Sequence, residues 1–206
     1  NQSYLTSNEK NNIVKSFKIK DTVNSSIGIP FTDVPSSSWY YNAVRYTYEK
    51  NMIKGINDYT FSPNENLTRA MLVTILHRME GAPYVPGTSK FPDVQNTKEY
   101  YYVAVKWAVA NNIVSGYNNG KFGPNDPITR EQLAVILNKY CRYKGKYKAK
   151  TGDLTKFKDG NKVSNFAIWE MRWAVGTGVI TGTNENTINP QGTATRAEVA
   201  AMLHKY

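Results

Sequence analysis

The stretch that decides the fold is residues 67–79, which read LTRAMLVTILHRM. It recurs as ITREQLAVILNKY at residues 128–140 and as ATRAEVAAMLHKY at residues 194–206. In each copy a Thr-Arg pair precedes apolar residues spaced i, i+3, i+4, i+7, the period of one helix face. These positions are Leu72, Ile75, Leu76 and Met79; Leu133, Ile136, Leu137 and Tyr140; and Val199, Met202, Leu203 and Tyr206. The pattern predicts three amphipathic helices.

Each of these helices has a start signal. The predicted N-caps are the three threonines Thr68, Thr129 and Thr195. Gln132 and Glu198 stand three residues after their caps and predict capping boxes in the second and third copies, whereas Met71 occupies this position in the first copy. The caps place the arginine of each Thr-Arg pair at the first position of its helix.

Further landmarks repeat upstream of these helices. They are Phe31-Thr-Asp33, Phe91-Pro-Asp93 and Phe157-Lys-Asp159; Gly55, Gly116 and Gly182; and Phe61-Ser-Pro63, Phe122-Gly-Pro124 and Ile188-Asn-Pro190. The Gly, Pro and Arg offsets are 61 and then 66 residues. We therefore predict an all-α fold of three helix-loop-helix repeats, at about 31–81, 91–142 and 157–206, after a linker or N-terminal extension at 1–30.

Composition narrows the classes of partner. The 206 residues carry 26 Lys and Arg against 16 Asp and Glu, a net charge of +10, and 13% are aromatic. Such a balance favours an anionic partner, either nucleic acid, anionic lipid or an acidic polysaccharide. The single cysteine, Cys141, excludes an internal disulfide, and no apolar run is long enough to span a membrane. The chain begins at Asn1 rather than Met, so we expect it to be a piece of a longer protein.

The combined motifs, Phe-x-Asp-Val, Ile/Val-x-Gly, Phe-x-Pro and Thr-Arg-x-Glu, resemble the S-layer homology domain over residues 31–206. The resemblance implies three copies packed around a pseudo-threefold axis with grooves between them. It also implies an extracellular module without catalysis or cofactor, which anchors its parent to the bacterial cell wall. The implied ligand is an anionic secondary cell-wall polysaccharide, often with a pyruvylated amino sugar, and peptidoglycan is a further possible partner. Ligand contacts would centre on Arg69, Arg130 and Arg196.

A physical argument, independent of the resemblance, also favours anion binding by the three arginines. A cation at the first turn of a helix is unfavourable by roughly 0.3–1 kcal/mol, so its threefold repetition suggests compensation by an anion. Helix N–H groups beside a guanidinium would suit a carboxylate or phosphate. The alternative is an internal salt bridge, for example from Arg69 to Asp33 or Glu65. If the arginines bind ligand, their replacement is expected to leave the fold intact.

Nine other residues complete the candidate ligand site. They are Asp33, Asp93 and Asp159; Gly55, Gly116 and Gly182; and Trp39, Tyr100 and Phe166. Each Asp precedes a turn, where capping of backbone N–H groups is the favoured role. Each Gly is expected at positive φ in a helix C-terminal turn. The aromatic residues are interpreted equally well as core or as sugar platforms, whereas Trp107 and Trp173 are predicted to pack in the core or between repeats.

Two other functions stay open at the level of sequence. The charge and the basic stretch Lys139–Lys150, with its interleaved tyrosines, suggest a nucleic-acid-binding module, although one arginine per repeat fits discrete anion pockets better. The other alternative is a segment that self-assembles into a surface lattice, although we expect the isolated module to be a monomer. Catalysis is not expected, because no nucleophile–base motif occurs, and His77 and His204 are too few and too separated for a metal site.

Overall fold

A computed structural model describes residues 28–183 and 185–205. Six α-helices lie in this part of the chain: α1 (Tyr41–Glu49), α2 (Arg69–Met79), α3 (Tyr102–Ala110), α4 (Arg130–Tyr143), α5 (Ile168–Thr177) and α6 (Arg196–His204). Short 3₁₀ segments at Leu154–Lys156, Gly160–Lys162 and Asn165–Ala167 precede α5. The described residues contain isolated β-bridges but no strand, so the all-α prediction is confirmed.

The compact unit spans Phe31–Tyr206. The predicted linker at 1–30 lies outside the described residues except for its last three, and Tyr206, the last predicted core position of α6, lies outside them as well.

The second helix of each repeat begins at the predicted cap. The hydroxyls of Thr68, Thr129 and Thr195 each accept a hydrogen bond from the backbone N–H three residues on. A complete capping box forms only in the third repeat, where Thr195 N donates to Glu198 Oε2 at 2.8 Å. The predicted box at Gln132 is wrong, because its side-chain oxygen faces the Arg69 guanidinium instead.

The helices pair across repeat boundaries. Helix α2 packs on α3, α4 on α5, and α6 on α1, so each second helix covers the first helix of another repeat. Trp107 on α3 is 2% exposed and its ring lies 5.3 Å from that of His77 on α2. Trp173 on α5 is buried as well. The predicted packing role of both tryptophans is therefore confirmed.

Three short segments before the second helices meet in the centre of the unit. Leu67 N donates to Ala194 O at 2.9 Å, Ala194 N donates to Ile128 O at 3.0 Å, and Ile128 N donates to Leu67 O at 2.8 Å. All three side chains are fully buried. Backbone hydrogen bonds therefore form a closed cycle through the three repeats. The pseudo-threefold axis stays a prediction.

Candidate functional site

Residues from all three repeats line a cavity of about 560 Å³, which we call groove A. The first repeat contributes Arg69, the second contributes the Gly116 loop and Lys139 on α4, and the third contributes Phe166. Tyr117, Gln132 and Glu170 also line it. Three of the predicted site residues, Arg69, Gly116 and Phe166, therefore line the same cavity, and each comes from a different repeat.

The same combination recurs in groove B, a cavity of about 180 Å³. Its lining includes Arg130, Gly182, Trp39 and Lys205. We call the third set groove C. There Arg196 Nη2 donates to the carbonyl of Lys54, next to Gly55, and Arg196 interacts electrostatically with Tyr100.

The three arginines hold neighbouring loops. Each is only 5–6% exposed. Arg69 Nε donates to Phe122 O at 2.9 Å and Nη2 donates to Ser115 O at 3.2 Å, so two of its nitrogens bind the backbone of the second repeat. Arg130 and Arg196 repeat these contacts on the carbonyls of Ile188 and Thr181, and of Phe61 and Lys54.

Only Nη1 of each arginine makes no bond to a backbone carbonyl. Arg69 Nη1 lies 3.5 Å from Gln132 Oε1, and Arg130 Nη1 lies 3.4 Å from Glu198 Oε1. Met71 occupies the position of Gln132 and Glu198 in the first repeat, and Arg196 Nη1 has no hydrogen-bond partner among the described residues. Burial lowers the pKa of all three guanidinium groups, while nearby acidic and phenolic groups act in the opposite direction. An arginine stays protonated nonetheless.

The helix N-termini cannot serve as the anion site that the sequence suggested. Arg69 N and Ala70 N donate to the carbonyls of Asp126 and Pro124, both at 3.0 Å. The first two N–H groups of α4 and of α6 make equivalent bonds. These N–H groups are already satisfied by backbone. The alternative of an internal salt bridge holds for Arg130, whose Nη1 lies 3.4 Å from Glu198 Oε1. It does not hold for Arg69, because Asp33 and Glu65 lie near Arg196 instead.

Each candidate aspartate closes a loop of its own repeat. Asp93 accepts hydrogen bonds from Phe122 N at 2.9 Å and Gly123 N at 2.8 Å. Asp33 and Asp159 bind the equivalent N–H pairs of Phe61 and Ser62, and of Ile188 and Asn189. The structural role that we favoured is confirmed, but the N–H groups belong to a segment 28–30 residues away rather than to the adjacent turn.

The prediction of positive φ for Gly55, Gly116 and Gly182 is wrong. The left-handed positions at the ends of the first helices are Asn51, Asn112 and Gly178, each four residues earlier. Close packing explains the glycines instead, because a Cβ at Gly116 would lie 2.4 Å from Phe91 Cε1 and 2.7 Å from Lys121 O.

The aromatic candidates are surface residues. Trp39 is 69% exposed, Tyr100 is 56% exposed and Phe166 is 61% exposed, so their interpretation as core is wrong. Desolvation raises the pKa of the Tyr100 hydroxyl, although a hydrogen bond with Thr68 acts in the opposite direction. Exposed rings at the edges of two of these cavities are free to stack on a ligand.

A second basic side chain belongs to each groove and was not among the predicted site residues. Lys139 lines groove A, Lys205 lines groove B, and Arg78 interacts electrostatically with Tyr100 of groove C. Their spacing, 61 and 66 residues, is that of the Thr-Arg arginines and was visible in the sequence. Lys139 forms no ion pair or hydrogen bond with any residue that the structure describes.

Groove A offers two further features. No described hydrogen bond uses the backbone N–H of Gly116, which lies in the lining of the cavity. The Tyr117 ring lies 4.6 Å from the Arg69 guanidinium carbon, and Ile56 and Thr183 replace it in the other copies. Of the basic stretch Lys139–Lys150, only Lys139 reaches this cavity, whereas Lys144 pairs with Glu80 and Arg142 stacks on Tyr147.

A model of a known protein family matches all three repeats of the sequence. The S-layer homology domain matches residues 30–70, 90–134 and 156–200, more than half of the chain. The chain belongs to the S-layer homology family. In the described residues no cluster of three His, Cys, Asp or Glu could hold a metal ion, and no described helix is long and apolar enough to cross a bilayer.

Known proteins with S-layer homology domains are similar along most of this chain. An S-layer protein of Bacillus anthracis is 30% identical over 88% of this chain and 22% of that protein. A cellulosome-anchoring protein of Acetivibrio thermocellus is 28% identical over 74% of this chain and 34% of that protein. An endoglucanase of a Bacillus species is 29% identical over 86% of this chain and 19% of that protein.

The chain thus spans only about a tenth to a third of such relatives. Family membership and the surface-layer relatives locate this S-layer homology domain outside the cell, at the bacterial surface.

Proposed function

We propose that the chain is a non-catalytic module that anchors its parent protein to the cell wall by binding an anionic secondary cell-wall polysaccharide, with a pyruvylated amino sugar as the recognised unit. The observation that carries the proposal is the composition of groove A. An unpaired ammonium, an unused backbone N–H and an exposed aromatic ring meet in one cavity of about 560 Å³. This combination fits a sugar that bears a carboxylate.

The roles of the groups follow from their contacts. Lys139 and the Gly116 N–H are available donors for the carboxylate of the ligand. Arg69 supplies positive charge and offers its Nη1 as a donor, while its Nε and Nη2 bind the carbonyls of the loop. Phe166 offers a ring face for the apolar face of the sugar. Groove B repeats this set with Lys205, Gly182, Arg130 and Trp39.

The comparisons support anchoring rather than catalysis. The relatives include proteins named for surface layers and for cellulosome anchoring. In the similar endoglucanase the match covers 19% of the protein, so its name describes a chain with much more than this region. Any catalytic activity of the parent protein would lie outside this S-layer homology domain.

The decisive experiment is a pull-down with purified cell-wall polysaccharide, before and after mild acid treatment that removes acid-labile ketals. We expect binding before treatment and its loss afterwards. Unchanged binding after treatment would remove the ketal carboxylate from the mechanism. Retention of DNA at near-physiological salt without polysaccharide binding would favour the nucleic-acid alternative.

Lys139→Ala tests the assignment within groove A. A monovalent pyruvylated amino-sugar glycoside is titrated while the amide signal of Gly116 reports groove A and that of Gly182 reports groove B. We expect a loss of about 10-fold or more at groove A and none at groove B, since a charged hydrogen bond contributes roughly 1.5–3 kcal/mol. Lys98→Ala, at an exposed lysine outside the groove A lining, is the matched control. Equal affinity of Lys139→Ala and wild type would exclude Lys139 as the donor.

A further inference from the structure

An exposed aromatic surface continues from the rim of groove A. Phe166 lines the cavity, and Trp169, one turn later, is 74% exposed. The guanidinium carbon of Arg172 lies 6.0 Å from the Trp169 ring. We call these three residues the aromatic platform. The buried residues of α5 are Met171, Trp173 and Ala174, so the exposed Trp169 lies on the solvent-facing side of α5, whereas the segment that carries Phe166 contacts α4.

Trp169 is the part of the platform that is specific to the third repeat, since Phe166 corresponds to Trp39 and Tyr100, and Arg172 corresponds to Arg45 and Lys106. At the repeat offsets, the position of Trp169 is occupied by Asn42 in the first repeat and Val103 in the second. No internal packing role accounts for Trp169, because three quarters of its surface faces solvent. An exposed tryptophan next to a polar cavity is a feature of binding surfaces.

We infer that the aromatic platform is a second sugar subsite, which binds the next residue of the glycan whose anionic sugar occupies groove A. The inference rests on the proposed function and extends it from one sugar to an oligosaccharide. The ring faces of Trp169 and Phe166 pack against sugar C–H groups, and Trp169 Nε1 and the Arg172 guanidinium donate to hydroxyl oxygens.

The size of the platform favours a glycan over a protein. Two aromatic rings and one guanidinium cover roughly one or two sugar rings, whereas a stable protein interface buries about 800 Å² on each partner. Continuity with groove A also requires an occupant that can enter a cavity of about 560 Å³ and continue along the surface. A linear polysaccharide meets both conditions.

The test compares a pyruvylated amino-sugar glycoside with a trisaccharide that carries the same sugar at its end. Both are titrated into the whole chain while the Gly116 amide signal reports groove A. We expect wild type to bind the trisaccharide roughly 10-fold more tightly than the single sugar. Trp169→Ala should abolish this gain and leave affinity for the single sugar unchanged, while Trp169→Phe should retain part of the gain.

Tyr84→Ala is the control, because Tyr84 is 79% exposed and lies outside the groove A lining. Equal affinity of wild type for both ligands, or a full gain in Trp169→Ala, would overturn the inference while leaving the proposed function intact. Failure of wild type to bind either ligand would contradict the proposed function itself. If Trp169→Ala instead abolishes self-association in ultracentrifugation and leaves the trisaccharide affinity unchanged, the platform is a protein interface and the inference is wrong.

Discussion

At the scale of single residues, the repeated side chains bind backbone groups of loops. Asp93 accepts from two backbone N–H groups of the Phe-x-Pro segment, and Arg69 donates to two carbonyls of the same repeat. Gly116 allows the Phe91 ring to approach the loop that lines groove A. These contacts fix the shape of the groove before any ligand binds.

The first prediction concerns Asp93 and pH. Desolvation raises the pKa of the Asp93 carboxyl, but hydrogen bonds from Phe122 N and Gly123 N outweigh it, so the folded pKa is below its ordinary value. A depressed folded pKa stabilises the protein above the ordinary Asp pKa of about 3.9, and this contribution is lost as pH falls through the folded value.

Asp93→Asn should therefore reduce the free energy of unfolding by about 1–2 kcal/mol at pH 7, because one oxygen acceptor is replaced by a donor. Urea denaturation at pH 7 and again below pH 3 measures the difference between variant and wild type. A difference that does not shrink at the lower pH would contradict the assignment.

The second prediction ranks the loss of stability when each of the three glycines is replaced by alanine. A Cβ would lie within 2.7 Å of backbone oxygens at Gly55 and Gly116, but the nearest backbone oxygen to a Cβ at Gly182 is 3.4 Å away. Gly55→Ala and Gly116→Ala should each cost about 1–3 kcal/mol, and Gly182→Ala should cost less, because only the Phe157 ring must move. Thermal unfolding monitored by circular dichroism gives the order, and a larger loss at Gly182 would refute it.

At the scale of elements, the arginine at the start of each second helix connects that helix to the next loop in the cycle. Arg130 on α4 reaches the carbonyls of Ile188 and Thr181 in the third repeat. The expectation that these arginines contribute little to stability considered only the helix dipole. Burial makes each of them a structural link between repeats, with three polar contacts at Arg69 and Arg130 and two at Arg196.

The third prediction follows from that link. Arg130→Ala should lower the free energy of unfolding by about 2–4 kcal/mol, because buried carbonyls lose their donor. Arg45→Ala is the matched control, since the Arg45–Glu49 pair on α1 is exposed and its removal should cost under about 0.5 kcal/mol. Both values are measured by urea denaturation. If the Arg130→Ala variant were as stable as wild type but had lost glycan binding, the arginine would only bind ligand, and the prediction would be wrong.

At the scale of the whole molecule, the three repeats depend on one another. Helix α6 covers α1, and Leu67, Ile128 and Ala194 complete one cycle of hydrogen bonds. Each groove also draws on more than one repeat, so a repeat lacks both its packing partner and part of its site when it is alone.

The fourth prediction is that neither residues 31–80 nor residues 31–142 fold cooperatively. The first fragment is one helical pair, too small to bury a stable core. The second retains the α2–α3 packing but leaves α1 without α6 and Leu67 N without the Ala194 carbonyl. Circular dichroism during heating compares both fragments with residues 31–206. A sharp transition in either fragment would show that closure of the cycle is not required for folding.

The sequence alone determined the helical elements and which residues recur at equivalent positions of the candidate grooves. Apolar spacing after Thr-Arg marked α2, α4 and α6, and the offsets of 61 and 66 residues matched the arginines, glycines and aromatic residues. These signals are local or periodic, so they can be read without knowing which elements touch. The same offsets also contained Arg78, Lys139 and Lys205. Lys139 was considered only as part of the basic stretch Lys139–Lys150, because such a run of charges is usually a solvated helix end and linker.

Only the tertiary structure decided which copies of those residues share a groove. Arg69, Gly116 and Phe166 come from three different repeats, because each second helix packs on another repeat's first helix and not within its own. Tertiary contact also decided that helix N–H groups bind backbone carbonyls, that the Gly positions are set by a neighbouring ring, and that Trp39 lies outside the core. Such contacts join residues far apart in the chain, and no local pattern of spacing or propensity encodes them.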